Sequence, residues 1–271
     1  MPFRHEALLY DGAESLLAGA APFVRTDEPV LIAARPDSPL RALDAEFAEI
    51  PRNPARIIPL WRDFVDAHDG PVRGIGEPIW AGRSGTELVE CQLHEALLNR
   101  AFDQDFTLLC PYDTATLDEA VILEARRSHP HVDGAPSHSY REAGFPLAPL
   151  PPPPPGAHLL GFDLDSLHEV RRFVDVHGGD PDFVLAIDEL AANSIRHGGG
   201  RGIVRLWTDR GSLVCEVRDQ GRIADPLAGR HRPADDAVGG RGLWIANQVC
   251  DLVQIRPGAV RVRSELARPA A

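Results

Sequence analysis

The chain has 271 residues, enough for roughly two domains of ordinary size, and its 44% hydrophobic and 25% charged residues are typical of globular proteins. It contains no lysine, which excludes P-loop nucleotide binding, the protein-kinase fold and pyridoxal chemistry, because each of these depends on a lysine. The net charge of −12 predicts that the protein makes no direct contact with nucleic acid.

The first half of the chain alternates between strand and helix patterns. Apolar runs predict strands at residues 30–34, 56–60 and 106–110. Apolar residues at intervals of three and four predict helices at residues 39–48, 87–101 and 117–127. This alternation favours an α/β domain over residues 1–140, with a mostly parallel sheet and helices on both of its faces.

A proline-rich segment over residues 141–157 separates the two halves. Five consecutive prolines at 151–155 cannot enter a helix or a central strand, and they favour an extended polyproline conformation. The segment is predicted to be a stiff spacer between domains, with an SH3-type ligand as the alternative.

Residues 158–271 predict a second domain, an α+β sandwich with helices on one face of a mixed sheet. Helices are expected at 167–177, 182–197 and 243–249, and strands at 202–208, 212–219, 251–255 and 260–264. The glycine run at 198–200 is predicted to end the second helix.

Two further features bear on the location of the protein. The cysteines Cys91, Cys110, Cys215 and Cys250 form no CxxC pair and have no histidine at a zinc-site spacing, so buried thiols in a reducing compartment are expected. No apolar run approaches the roughly 20 residues of a membrane span, and no leader pattern opens the chain. We therefore expect a cytoplasmic protein without membrane contact.

The helix at 182–197 carries an acid and a carboxamide on one face. Glu189 and Asn193 are four residues apart, so both side chains leave the helix on the same side. An amide oxygen can ligate Mg²⁺, and a carboxylate one turn earlier can orient or deprotonate an attacking hydroxyl. A solvated polar face would also explain this pattern.

Two glycine-containing motifs follow. Asp219 ends a strand and precedes Gln220 and Gly221, while the segment from Gly239 to Leu243 opens the last helix. Backbone amides at such a helix start can bind phosphate oxygens, and Arg241 can add a charge-assisted contact. Taken singly, each motif is explained equally well by an ordinary turn or loop.

In this order and spacing, the three motifs resemble the N, G1 and G2 boxes of the GHKL (Bergerat-type) ATP-binding family, over about residues 160–265. The resemblance implies an ATP site with Mg²⁺ at Asn193, Glu189 as the base and Asp219 as the acceptor for the adenine amino group. The implied nucleotide-binding residues are Asn193, Asp219, Gly221, Gly240, Arg241, Gly242 and Leu243. Ile223 departs from the family pattern, which has a second glycine there.

Within that family, residues 225–230 and 239–244 are similar to anti-sigma-factor serine kinases of the RsbA and RsbW type. This similarity implies two partners, a sigma factor and an anti-anti-sigma protein of the STAS type that is phosphorylated on Ser or Thr. It leaves open whether the protein forms a homodimer.

Three segments of the first half, residues 5–10, 76–80 and 109–113, resemble the MEDS sensory domain. That domain is thought to sense small organic molecules, so a ligand pocket is expected. The residues suggested to line it are His5, Tyr10, Trp80, His94 and Tyr112, although each of them also suits a core or surface position.

Two other functions stay open. A scaffold that binds ATP or only a partner, without phosphoryl transfer, would be consistent with Ile223 in the G1 box. A sensor histidine kinase would use His168 as phosphoacceptor, but a proline-rich segment stands where such kinases have a dimerisation hairpin.

Overall fold

A computed structural model describes residues 3–142, 145, 147–234 and 240–266. The chain divides into two compact units, Met1–Pro146 and Leu147–Ala271. Each unit has its own sheet, and each is built around its own apolar core. Among the described residues, no helix combines the length and the apolar character needed to cross a membrane.

The first unit contains a seven-stranded sheet in the order β3-β2-β4-β5-β1-β6-β7. All its ladders are parallel except the pairing of β6 with β7, which confirms the predicted mostly parallel sheet. Its strands are β1 (Arg4–Tyr10), β2 (Val30–Ala34), β3 (Glu46–Glu49), β4 (Val72–Gly76), β5 (Phe106–Asp113), β6 (His131–Val132) and β7 (Ala135–Pro136).

Helices cover both faces of this sheet, as predicted. They are α1 (Gly12–Val24), α2 (Ile57–Asp66), α3 (Gly85–Ala101) and α4 (Glu119–Ser128). Leu16 of α1 packs with Leu109 on one face. Trp61 of α2 packs on the other face, close enough to Gly74 that a Cβ there would lie 2.7 Å from its ring. Strand alternation places these two contacts on opposite sides of the sheet.

Two predictions for this unit were wrong. Residues 56–60 form no strand: residue 56 ends a short 3₁₀ helix and residues 57–60 start α2. The buried residues of this longer segment recur at helical intervals, at Ile57, Ile58, Trp61, Phe64 and Val65. Residues 39–48 form only a short 3₁₀ helix (Pro39–Ala42) followed by β3. There, parallel pairing with β2 supplies backbone hydrogen bonds that a local helical pattern does not reveal.

The second unit contains a five-stranded sheet in the order β11-β12-β10-β9-β8. Its strands are β8 (His158–Asp163), β9 (Arg201–Asp209), β10 (Ser212–Arg218), β11 (Leu252–Arg256) and β12 (Ala259–Glu265). Every ladder between the described residues of this unit is antiparallel, so the predicted mixed sheet was wrong. Tight turns connect β9 to β10 and β11 to β12, and hairpins of this kind are necessarily antiparallel.

The helices of this unit are α5 (Leu167–Val176), α6 (Pro181–His197) and α7 (Arg241–Val249). They pack on one face of the sheet around a shared core, as expected for an α+β sandwich. Asp180 accepts a hydrogen bond from the Phe183 amide at 2.8 Å, and Pro181 takes the first helical position of α6. These two residues stabilise the first turn of α6, and the helix ends at Gly198 as predicted.

The segment before the five prolines is held by this second unit. Arg256 Nε donates to the Ala148 carbonyl at 3.0 Å, and Arg261 donates to the Pro151 carbonyl at 2.6 Å. Leu150 is buried. Residues 148–151 thus pack within the second unit, which the interpretation as a stiff spacer between domains did not anticipate.

Candidate functional site

The start of α7 lies directly against the polar face of α6. A Cβ at Gly242 would come within 2.8 Å of Asn193 Nδ2 and 3.1 Å of Glu189 Oε2. Real Cβ atoms do not approach a neighbour as closely as 2.8 Å, so the absence of a side chain at Gly242 allows this packing. The structure therefore brings together three of the residues that the sequence singled out.

Gly240 shapes the backbone that leads into α7. It has φ of 78°, in the left-handed region that glycine adopts without strain, and it caps the helix. The first amide groups of a helix have no intrahelical partner and lie at its positive end, which suits an anion. Arg241, the first residue of α7, is exposed. Gly239, part of the same motif, lies outside the described residues.

Asp219 is held in one orientation by two hydrogen bonds. The Ser194 hydroxyl donates to its Oδ2 at 2.6 Å, and the Gly221 amide donates to its Oδ1 at 2.7 Å. Gly198 packs so tightly on this carboxylate that a Cβ there would lie 2.4 Å from Asp219 Cγ. Because each carboxylate oxygen has more than one acceptor site, Asp219 can still receive a donor from a bound molecule.

The turn between β11 and β12 fixes Gly221 and the end of β10. The Gly258 amide donates to the Gly221 carbonyl at 3.1 Å, and the Asp219 amide donates to the Gly258 carbonyl at 3.2 Å. A Cβ at Gly221 would lie 3.0 Å from the His197 carbonyl. The backbone at the end of α6, the backbone just after β10 and the β11–β12 turn therefore meet here without intervening side chains.

These elements enclose a cavity of about 320 Å³. Five of the predicted residues line it: Asn193, Asp219, Gly221, Gly240 and Leu243. Apolar walls come from Leu190, Val217 and Val260, and basic side chains from Arg222 and Arg256. Glu189, Arg241 and Gly242 are not among its lining residues, although Gly242 contacts Asn193 at its edge.

The cavity suits an adenine nucleotide by shape and charge. Its apolar walls can enclose a flat aromatic ring, and Asp219 offers the acceptor that an exocyclic amino group requires. The start of α7 supplies amide groups for phosphate oxygens. The amide oxygen of Asn193 has the oxygen donor chemistry that Mg²⁺ prefers, so the residues present fit both the nucleotide and its metal ion.

Sequence reasoning missed three residues of this site. Ser194 orients Asp219, Gly198 packs against it, and Arg256 lines the cavity wall. The sequence pattern assigned the glycine run at 198–200 only to the end of the helix, and it assigned no role to Ser194. Only the position of Ser194, four residues after Leu190 on the buried side of α6, signals that its hydroxyl faces inward.

Comparison with protein-family models gives two matches. Residues 4–130 match the MEDS model, described as the methanogen/methylotroph, DcmR sensory domain. Residues 163–264 match the histidine kinase-like ATPase domain. The chain joins a sensory domain to an ATPase domain. No curated protein matches it significantly. An ATPase domain of this type implies ATP binding, usually with Mg²⁺, and the chain is accordingly an ATP-binding regulatory protein with an N-terminal sensor.

The five residues suggested for a pocket in the sensory domain do not form one cluster. Trp80 lies under Arg83, whose guanidinium carbon is 4.0 Å from the ring centroid, in a surface depression with Arg35. Tyr10 packs in the core beside α1, and burial raises its pKa to about 12. Strand alternation along β1 points Tyr10 and His5 to opposite faces of the sheet.

His5 and Tyr112 do lie together, on the face of the sheet covered by α3. Both rings contact His129, with centroid distances of 3.9 Å for His5 and 5.5 Å for Tyr112. His94 is buried on α3, one residue before Glu95, which contacts His5. Burial, with a further contribution from His129, lowers the pKa of His5 to about 4, so this imidazole is neutral near pH 7.

Proposed function

We propose that the ATPase domain binds Mg·ATP and transfers its terminal phosphoryl group to a hydroxyl of a protein partner. Asp219 would select adenine, Asn193 would hold Mg²⁺, and the start of α7 would receive the phosphates. The observation that carries this proposal is the approach of Gly242 to both Asn193 and Glu189, which puts a helix start and a carboxylate next to the proposed magnesium ligand.

Glu189 has a defined task in this reaction. A hydroxyl oxygen of the partner attacks the terminal phosphorus while the bond to the bridging oxygen breaks, so that ADP leaves. Glu189 accepts the hydroxyl proton, and a positioned base of this kind contributes about 10²–10⁴-fold to a rate. Its carboxylate is half-buried beside Gly242, facing the elements that would hold the phosphates.

The partners that we propose are a sigma factor, which the protein would sequester, and an anti-anti-sigma protein of the STAS type, which it would phosphorylate in the cytoplasm. The motifs of the second domain support this assignment. His168, the phosphoacceptor required by the alternative of a sensor histidine kinase, lies on α5, and no residue of α5 lines the cavity.

Radiolabelled ATP tests the transfer step. The full chain is incubated with purified STAS-type proteins of the same organism, and label on Ser or Thr is measured for wild type and Glu189→Gln. We expect the variant to lose about 100-fold or more in transfer rate while it keeps its ATP affinity. Glu169→Gln, the same change at an exposed residue of α5, is the matched control. Equal rates for Glu189→Gln and the control would refute the assigned role.

Sequestration is tested separately. A tagged full-length protein is used to capture partners from native cells with and without ATP. Recovery of a sigma factor or a small STAS protein supports the proposal, and sedimentation of the purified protein establishes whether it is a dimer.

A scaffold without phosphoryl transfer is the second candidate. Ile223 replaces a glycine of the G1 box and lines the cavity with 38% of its surface exposed. Thermal unfolding distinguishes part of this alternative, because a ligand at 100 times its dissociation constant adds about 2.7 kcal/mol of stability. Stabilisation by Mg·ATP without any phosphorylated partner would favour the scaffold.

A further inference from the structure

Four side chains with metal-binding atoms meet in the interior of the sensory domain. They are His5 on β1, Glu95 on α3, Cys110 on β5 and His129 after α4, and their ligand atoms all lie within 4.8 Å of one another. None is more than 1% exposed. Glu95 Oε2 is 3.0 Å from His5 Nε2 and 3.1 Å from His129 Nε2, and Cys110 Sγ is 3.4 Å from His5 Nε2.

The surroundings of His5 determine which of its nitrogens carries the proton. Asn99 uses its amide nitrogen to donate to the Ser128 carbonyl at 2.7 Å, which leaves its Oδ1 facing His5 Nδ1 at 3.1 Å. An amide oxygen only accepts, so His5 Nδ1 must be the donor. In the neutral ring, Nε2 then presents a lone pair to the carboxylate of Glu95.

His129 is held in the same way. Its Nδ1 lies 2.8 Å from the Ala125 carbonyl, which can only accept. The proton of the neutral ring is therefore on Nδ1, and Nε2 again directs a lone pair at Glu95. Anchoring of the second ring nitrogen by a carbonyl or amide oxygen is the usual arrangement of metal-binding histidines.

Apart from the Cys110 thiol, which can donate one weak hydrogen bond to His5 Nε2, the cluster is consequently a set of acceptors that face one another. Double protonation of both rings would not resolve this, because it would bury two cations whose ring centroids are 3.9 Å apart. Glu95 Oε1 also has no hydrogen-bond partner among the residues that the structure describes. A buried carboxylate in contact with two lone pairs is unfavourable unless a cation lies between them.

We propose that His5, Glu95, Cys110 and His129 bind one divalent transition-metal ion of the zinc class. Two imidazoles, one carboxylate and one thiolate form a four-ligand set that suits tetrahedral Zn²⁺. Cys110 gives up its thiol proton to solvent on binding, and the two resulting negative charges then balance the dication. Four protein ligands leave no open position, as is usual for metal ions that stabilise a fold.

The spacing of the side chains is compatible with this ion. Bond lengths of about 2.0–2.3 Å in a tetrahedral zinc site place the ligand atoms roughly 3.3–3.8 Å apart. The contacts of 3.0 and 3.1 Å at Glu95 need to open by a few tenths of an ångström, and the widest pair needs to close by about 1 Å. Side-chain rotation without movement of the sheet is sufficient for such changes.

The test uses the full chain and Co²⁺ as the spectroscopic probe. Protein dialysed against a chelator is titrated with Co²⁺, and we expect one ion per chain, an intense visible band of tetrahedral cobalt and a near-ultraviolet thiolate charge-transfer band. Zn²⁺ should displace the cobalt. Cys110→Ser should lose the charge-transfer band and bind at least about tenfold more weakly, whereas Cys91→Ser, a change at another fully buried cysteine of this domain, should keep both properties.

Absence of metal uptake by the wild-type chain would overturn the proposal, as would an unchanged thiolate band in Cys110→Ser. X-ray absorption of the zinc-loaded wild-type protein gives an answer that does not depend on whether the variant folds. It should show three nitrogen or oxygen ligands at about 2.0–2.2 Å and one sulfur at about 2.3 Å. A sphere of oxygen ligands alone would refute the assignment.

Discussion

Replacement of Gly242 by alanine tests the packing on which the ATP site depends. The added Cβ would lie 2.8 Å from Asn193 Nδ2, 3.1 Å from Glu189 Oε2 and 3.3 Å from Glu189 Cβ. Both neighbours are side chains, so they can move, but each must leave the position that suits ligand binding. Overpacking of this kind costs about 1–3 kcal/mol.

The cost should appear in two measurements. Thermal unfolding of the ATPase domain should shift down by about 2–8 °C per kcal/mol, given a unit of 125 residues. Isothermal titration with Mg·ATP should show a loss of affinity of about tenfold for each 1.4 kcal/mol that displacement of Asn193 removes from binding. The loss should be smaller for ATP without magnesium, because Asn193 is the proposed metal ligand.

Gly161→Ala is the matched control for this experiment. Gly161 lies on β8 of the same domain, and a Cβ there would meet nothing within 4 Å. If Gly242→Ala bound Mg·ATP as tightly as the wild type and the control do, the view that this close approach positions Asn193 would be refuted.

Three other changes have defined outcomes. Asp219→Asn should weaken ATP binding by roughly 10–150-fold, because a hydrogen bond to a charged group is worth about 1.5–3 kcal/mol. The same change at exposed Asp175 should leave ATP affinity unchanged, and calorimetry measures both affinities. Gly74→Ala should destabilise the sensory domain by about 1–3 kcal/mol in thermal unfolding, because its Cβ would lie 2.7 Å from a tryptophan ring. Gly85→Ala is the control, since a Cβ at Gly85 would meet nothing within 4 Å. Burial raises the pKa of Cys250 to about 12, so this thiol should resist alkylation at pH 8 in the folded protein. Its contribution to stability should decline as the pH rises above about 9, because there the thiol ionises only in the unfolded state.

The ATPase domain was the more predictable half because its local signals agree with one another. Asp180 and Pro181 start α6 and a glycine ends it, and the apolar spacing between them matches the helix that forms. Its three motifs are also short and lie in register along the chain. Strand β8 was missed because four of its six residues are exposed at an edge of the sheet and it lacks a clear alternation.

The sensory domain was less predictable because its elements are fixed by contacts distant in sequence. Residues 46–49 become a strand through pairing with β2, and no local pattern indicates this. The four-ligand cluster shows the same limit. His5 and His129 are 124 positions apart, so their spacing resembles no metal motif, and the parallel pairing of β1 and β5 with α3 packed over them brings the ligands together. The absence of a zinc-like spacing in the sequence therefore excluded only sites with closely spaced ligands.

Arg256 connects the ATP cavity to the start of the ATPase unit. Arg256 is one of the residues that line the cavity, and its Nε donates to the Ala148 carbonyl in the segment that follows the sensory domain along the chain. Residues 148–151 and the cavity therefore share one cationic side chain. Because coupling between two sites is reciprocal, a nucleotide that shifts Arg256 would also change how firmly this segment is held.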